Sequence, residues 1–527
     1  MEIPIEIDHG SVASLQAQIF EHFRHRILCG GLKAGTPVPA SRALAGQLGV
    51  SRNTVLLAYD RLIAEGYLQA RVAIGTFVSL ELPETCLATA RPAVAPAVVR
   101  GEASSQRAIP FAGRAQAVVS THRVALDFWL GRPDAHSFPI KSWRRLTNRA
   151  LATAGARLTE YRDPAGLPEL RQAIADHLSA ARGVSVSSDQ VIITAGSQSA
   201  LNLVARLLVR EGTPVATENP CYQGAAFLFE SHRARMVPVP VDEAGLDVEQ
   251  LPRQGVMLVY VTPSHQYPLG FTLSLERRLK LIDWARRCGA YIIEDDYDSD
   301  FRYRGSPLTA LMGLDQYGCV MYLGTFSKSI GAGLRLGYLV VPKALAKAAR
   351  SAKALLDNGH PWLDQAVMAE FIRSGAYGNH LRRIRQLYCE RRDCLVEALH
   401  RHFGDVCLSG LESGMHLAWH LPEQFPSAPE LQALALRKGV GVYSLSSGAA
   451  HDYGGCDYSD RTVVLGFSSL DEHRIRAGIQ GIADALADLP AMSRRSSGAR
   501  AAALVVSSRR PASGSHRPSR SGRPPRP

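Results

Sequence analysis

Between Gln190 and Val341 short apolar runs alternate with amphipathic stretches, and this alternation limits the fold more than any other feature of the chain. Residues 190–194, 214–217, 256–261, 291–293 and 320–323 read as buried strands, and a second apolar run follows at 336–341. Residues 199–208 and 276–288 carry helical periodicity. Strand and helix in alternation predict an α/β fold with a mainly parallel sheet, in which ligands are held at the C-terminal ends of the strands.

The loops after these runs collect chemically useful side chains. Residues 320–323 open into Gly324-Thr325-Phe326-Ser327-Lys328, a lone lysine among hydroxyls just past a strand end, with Arg335 seven residues on. A lysine so placed is a candidate Schiff-base amine, and the hydroxyls and the arginine suit a phosphate. After Thr194, Ala195-Gly196-Ser197-Gln198 starts a helix, and amides at a helix N-terminus favour an anion. Tyr222 follows another strand and is able to stack on an aromatic ring. Glu294-Asp295-Asp296-Tyr297-Asp298 ends the next, and one carboxylate opposite a pyridine nitrogen would keep that ring protonated. The acids alone would suit a metal, but the nearby histidines lack ligand spacing and no metal is expected. Taken singly, each residue has a plainer reading: a surface lysine, an ordinary turn, a packing tyrosine.

Residues 11–80 follow a different rule. Leu15, Ile19, Phe23 and Ile27 recur every fourth position and predict a helix over 12–28, closed by Gly30-Gly31. Ser41 is the expected cap of a short helix over 42–48, and Ser51 of another reaching Glu65, with a tight corner at Gly49. This is a helix-turn-helix pattern, and its second helix begins Ser51-Arg52-Asn53-Thr54. Such a helix start enters the major groove and meets base edges and phosphates. Residues 70–78 read as a two-stranded wing. A plain dimer-forming module is the rival reading, but it has no need of that polar helix start.

At 527 residues the chain exceeds one core and predicts two or more domains. Its net charge of +12 is uneven: nine arginines and no acid lie in 491–527, and 11–80 holds seven basic residues against three acids. A basic tail is able to add salt-sensitive DNA affinity, but nothing in it specifies a partner and it reads as a dispensable extension. Residues 81–120, rich in Ala and Pro around 88–99, predict a linker, and 491–527 a disordered tail. Nine scattered cysteines, no secretory start and no membrane-length apolar run lead us to expect a reduced, cytoplasmic protein.

Two resemblances organise these motifs. Pro-x-Ser-Arg-x-Leu-Ala (39–45), Leu-Gly-Val-Ser-Arg-Asn-Thr-Val (48–55), Ala-Glu-Gly-Tyr-Leu (64–68) and Gly-Thr-Phe-Val (75–78) resemble the winged helix-turn-helix of the GntR family. The resemblance implies that Arg42, Ser51, Arg52, Asn53, Thr54 and Arg71 face double-stranded DNA. It departs at Ala73-Ile74, where the family usually has Gly-Ser in the wing. Tyr-x-x-Pro-x-Gly (161–166), Thr-x-Gly-Ser-Gln (194–198), Thr-Pro-Ser-His-Gln-x-Pro-x-Gly (262–270), Glu-Asp-Asp-Tyr-Asp (294–298), Gly-Thr-Phe-Ser-Lys (324–328) and Leu-Arg-Leu-Gly-Tyr (334–338) look like a fold-type I aminotransferase domain. The fusion is similar to the MocR/GabR regulators.

That similarity implies a winged helix-turn-helix over 11–80 and a PLP-dependent transferase fold over 121–490. The latter would be a mainly parallel seven-stranded sheet flanked by helices, with a small C-terminal α/β domain. It implies that Lys328 forms an aldimine with pyridoxal 5'-phosphate (PLP), with Asp295 on the ring nitrogen, Tyr297 on the ring hydroxyl and Tyr222 stacked on the ring. Ser197, Gln198, Thr325 and Arg335 would hold the phosphate, and Tyr161 would reach it from a partner subunit. Arg461 would grip an effector's acidic group. The implied function is a transcriptional regulator that senses a small amino compound by aldimine exchange, working as a head-to-tail homodimer on an operator. The alternative is a PLP-dependent aminotransferase of amino acids whose N-terminal domain serves dimerisation.

Overall fold

The computed structural model describes residues 13–71, 74–80, 124–305 and 308–489, with Ile5, Ile7, Asp8, Ser11 and Leu82. The expected linker, Leu82 apart, and the basic tail lie outside the described residues. The chain divides into two units, residues 1–109 and 110–527.

In the first unit, helices Leu15–Leu28, Ser41–Leu48 and Arg52–Ala64 precede a hairpin of Leu68–Arg71 and Gly75–Val78. Ile19, Phe20, Phe23 and Ile27 are buried against Leu44, Val55, Tyr59 and Leu62. Leu15 stays half-buried, while Phe20 is buried, its ring edge-on to Tyr67 with centroids 6.3 Å apart. Ser51 caps the third helix as expected, its hydroxyl accepting from Thr54 N at 3.1 Å. Ser41 does not cap the second: the helix starts on it, Ala40 is the cap residue, and Ser41 Oγ accepts from Arg52 Nε at 3.4 Å instead.

The second unit is built on one large sheet. Its strand order is Val191–Thr194, Gly337–Val340, Val320–Thr325, Tyr291–Asp295, Leu258–Val261, Pro214–Asn219, Arg235–Asp242 and Gly245–Leu246. The five strands from Val320–Thr325 to Arg235–Asp242 run parallel, and Gly337–Val340 is antiparallel to both its neighbours. An eighth, two-residue strand joins the implied seven, because Asp242 accepts from Ala244 N at 2.8 Å and turns the chain back on itself. The central strands are buried along their length, which is why they read as continuous apolar runs.

A smaller lobe follows, an antiparallel sheet of Cys407–Ser409, His416–His420, Thr462–Gly466 and Tyr443–Ser444. Helices Ala376–Phe403, Ala428–Arg437 and Glu472–Ala487 pack on it, around fully buried Trp419 and Phe467. The segment that opens the second unit belongs with this lobe, since Leu126–Asp127 pairs with Val440–Gly441.

Candidate functional site

Sheet register gathers the strand-end loops. Asp295 lies opposite Leu323, and Thr325 opposite Gly337, which in turn lies opposite Thr194. The loop carrying Lys328, the carboxylate of Asp295 and the helix start at Ser197 therefore share one end of the sheet. Lys328 sits in the turn Ser327–Gly331, and its Nζ donates to the carbonyl of Gly131 at 2.9 Å. Gly131 has φ +64°, and a side chain there would collide with the lysine amine. Burial lowers the pKa of Lys328, opposed by the charges of Asp298 and Asp295.

Asp295 ends its strand almost fully buried. Tyr260 donates to its Oδ2 at 2.8 Å, while Oδ1 has no partner. Burial pushes the carboxyl up to about 7, against the Tyr260 hydrogen bond. A buried bare carboxylate oxygen is a costly thing to leave, on the order of 1–3 kcal/mol, so this one asks for a donor. Tyr297 donates to His265 O at 3.0 Å, and Tyr222 meets Tyr267 edge-on with ring centroids 5.7 Å apart.

Gly196 caps the helix Ser197–Leu208, which starts two residues further upstream than the periodicity predicts. Its φ is +88°, and a Cβ there would sit 3.1 Å from Arg335 Nη2. Arg335 itself donates to Ala195 O, so a guanidinium and a helix N-terminus converge beside Ser197. Thr325 Oγ1 accepts from Ser327 N at 3.1 Å, and Gln198 Nε2 donates to Gly224 O at 2.9 Å.

Beneath these lie residues that the sequence reading did not single out. Arg182 reaches Asp296 at 2.8 Å, and Tyr322 donates to the same carboxylate at 2.5 Å. Burial pushes Asp296 up, but the Arg182 charge and the hydroxyls outweigh it and hold the carboxyl below its usual value. Buried Asp298 pairs with His265 Nδ1 at 2.8 Å, and His416 lies against His265 with centroids 4.5 Å apart. Those three side chains are close enough to share an ion. Burial holds His416 well below its ordinary value, which keeps it neutral. Their only signal in the sequence is position: His265 and Asp298 lie inside quoted motifs, but His416 and Gly131 come from distant segments.

Two predicted residues are not brought to this place. Tyr161 is 89% exposed and borders a cavity of about 630 Å³ whose lining includes none of the Lys328 set. Arg461 donates through Nη1 and Nη2 to the carbonyls of Leu421, Pro422, Phe425 and Pro426, which tie its guanidinium to that loop.

In the first unit, Arg42, Ser51, Arg52, Asn53 and Arg71 are exposed and Thr54 is half-buried. Arg71 stacks on the Phe77 ring, 4.8 Å from its centroid. Residues 72 and 73 of the wing lie outside the described residues, while Ile74 is exposed at its tip.

Fold and site together define a winged helix-turn-helix protein joined to a unit of the aminotransferase fold. Residues 15–78 match the bacterial regulatory proteins of the gntR family, and residues 130–450 match aminotransferase class I and II. The chain is 37% identical over 485 residues to the probable rhizopine catabolism regulatory protein MocR of Rhizobium meliloti, covering 91% of this chain and 95% of that one. It is 32% identical to the pyridoxine biosynthesis transcriptional regulator PdxR of Corynebacterium glutamicum, covering 92% and 99%. Among solved structures, Pyrococcus horikoshii kynurenine aminotransferase in complex with PMP aligns with a TM-score of 0.64 at 26% identity, covering 77% of this chain and 98% of that one. The chain belongs to the MocR type of gntR-family transcriptional regulators: a DNA-binding regulator with an aminotransferase-like sensing unit. No helix among the described residues is long and apolar enough to cross a membrane.

Proposed function

We propose that this regulator holds PLP at Lys328 and reads a small amino compound there. PLP, once bound, supplies an aldehyde carbon for which Lys328 and a dissolved primary amine compete. The observation that carries the reading is the bare, buried Oδ1 of Asp295, which a protonated ring nitrogen would satisfy. The other residues fit around it. Tyr297 offers a hydroxyl to the ring oxygen, and Tyr222 a ring face. Ser197, Gln198, Thr325 and Arg335 stand where a phosphate gains both helical amides and a charge. Burial lowers the pKa of Lys328 and so brings its unprotonated, nucleophilic form closer to neutral pH.

The DNA-facing role falls to Arg42, Ser51, Arg52, Asn53, Thr54 and Arg71, on a domain over 11–80, with 121–490 as the sensing domain. An effector shifts DNA binding only as far as it binds the alternative arrangements unequally. We place the protein in the cytoplasm as a head-to-tail homodimer on an operator. The exposed Tyr161 then reaches the partner's phosphate, a role supported by its lack of burial within one chain.

The test is spectral. The purified full-length protein is expected to show the visible absorption of bound PLP, and Lys328→Ala to lose it; an unchanged spectrum sinks the proposal. Steady keto-acid production from an amino acid at about 1 s⁻¹ or faster would instead make the unit a working aminotransferase.

A further inference from the structure

We infer that His265, Asp298 and His416 form a site for a borderline divalent cation of the Zn²⁺ class, which ties the smaller lobe to the end of the large sheet. His265 lies in the loop after Leu258–Val261 and Asp298 in the loop after Tyr291–Asp295, while His416 opens the lobe strand His416–His420. All three are buried, and one ligand atom from each lies within 4.8 Å of the others. His416 stands so far along the chain from the other two that no ligand spacing shows, which is why the sequence reading expects no metal.

The hydrogen bonds decide which ring nitrogens are bare. His416 Nε2 meets Pro268 O at 3.2 Å, and since a carbonyl only accepts, that ring carries its proton on Nε2. His265 Nδ1 donates to the Asp298 carboxylate at 2.8 Å. The opposite nitrogens, His265 Nε2 and His416 Nδ1, are buried without a partner. A Cβ at Gly270 or Gly410 would stand 3.0 Å from His265 Nε2, so glycine at both leaves that nitrogen uncovered. Two buried lone pairs without donors are costly in a packed interior, and a bound ion is one way to satisfy them. A histidine that ligates a metal has this form, its other N–H given to a carboxylate or a backbone carbonyl. Imidazole nitrogens beside one carboxylate suit Zn²⁺, whereas Mg²⁺ and Ca²⁺ take oxygen ligands. Bonds of about 2.1 Å hold two ligand atoms at most about 4.2 Å apart, so binding draws the 4.8 Å cluster in by about 0.6 Å or less. His416 rides on the lobe, so the cation fastens lobe to sheet at the end where Lys328 stands.

The experiment strips full-length protein with a chelator, dialyses it against zinc chloride and measures the zinc retained. Wild type is expected to hold about one Zn²⁺ per chain and to melt at a higher temperature with it. His416→Gln and His265→Gln are expected to lose both the zinc and the shift, and Asp298→Asn to bind about 10- to 100-fold more weakly. Cys29→Ser, which removes the exposed thiol beside His25, is expected to keep both. X-ray absorption of the wild-type zinc should show imidazole ligands and no sulfur. No stoichiometric zinc in wild type, a sulfur shell, or zinc retained by folded His416→Gln overturns the inference. Should the histidine variants not fold, the wild-type ligand shell decides by itself.

Discussion

Asp295 is where a single residue's environment makes a measurable claim. Its carboxyl is pushed up to about 7 by burial first and by Asp296 second, against about 3.9 in an unfolded chain. The native state thus holds a proton that the unfolded state has lost between about pH 4 and 7, so this group makes stability fall as pH rises through that window. The full penalty, present above about pH 7, is at most about 4 kcal/mol. A protonated ring nitrogen beside the bare oxygen relieves it. The rise in melting temperature on adding PLP should therefore be larger at pH 8 than at pH 5, and Asp295→Asn should flatten that growth. A PLP effect of equal size at both pH values in wild type would count against the pairing. Glu218, raised to about 7 by burial, has the same sign, which is why the comparison must be made against the variant.

The helix Arg52–Ala64 shows what one element owes to its own sequence. Its cap and its buried positions Val55, Tyr59 and Leu62 were legible, because capping and periodicity are local, whereas Ile63, read on the same face, is only half-buried and buried Ala58 was not singled out. Ser51→Ala should cost about 1 kcal/mol of stability in the first unit, read as a lower unfolding midpoint. Arg52→Ala should leave that midpoint within about 0.5 kcal/mol while weakening operator binding about tenfold or more, checked by fluorescence anisotropy. Unaltered DNA affinity would remove Arg52 from the interface. The helix Ser41–Leu48 is the contrast. A serine before a helical run reads as a cap, yet this one lies inside the helix, and its hydroxyl accepts from Arg52, eleven residues on.

At the scale of the whole molecule, the two units are linked by function. If amines compete with Lys328, then Lys328→Ala should bind operator DNA but ignore the effector, a result read from anisotropy with and without amine. An effector response that persists in Lys328→Ala would mean that the signal enters elsewhere.

The sequence by itself determined what depends on neighbours in the chain. It specified the period of each helix, the buried run of each strand, and which reactive side chains stand at strand ends. Lys328, Asp295, Ser197 and Arg335 were legible because each lies within a few residues of an apolar run that sets its place. The partners that the fold alone decided come from far along the chain: Gly131 against Lys328, His416 against His265, Tyr443 against Asp127. The loop carbonyls that Arg461 meets likewise come from a distant segment. A residue's type says which bonds it is able to make, but only the folded chain decides that the carbonyls at 421–426 take them first. Local order is written by dihedral preference and hydrophobic period, whereas long-range pairing is set by how the sheet and the small lobe pack.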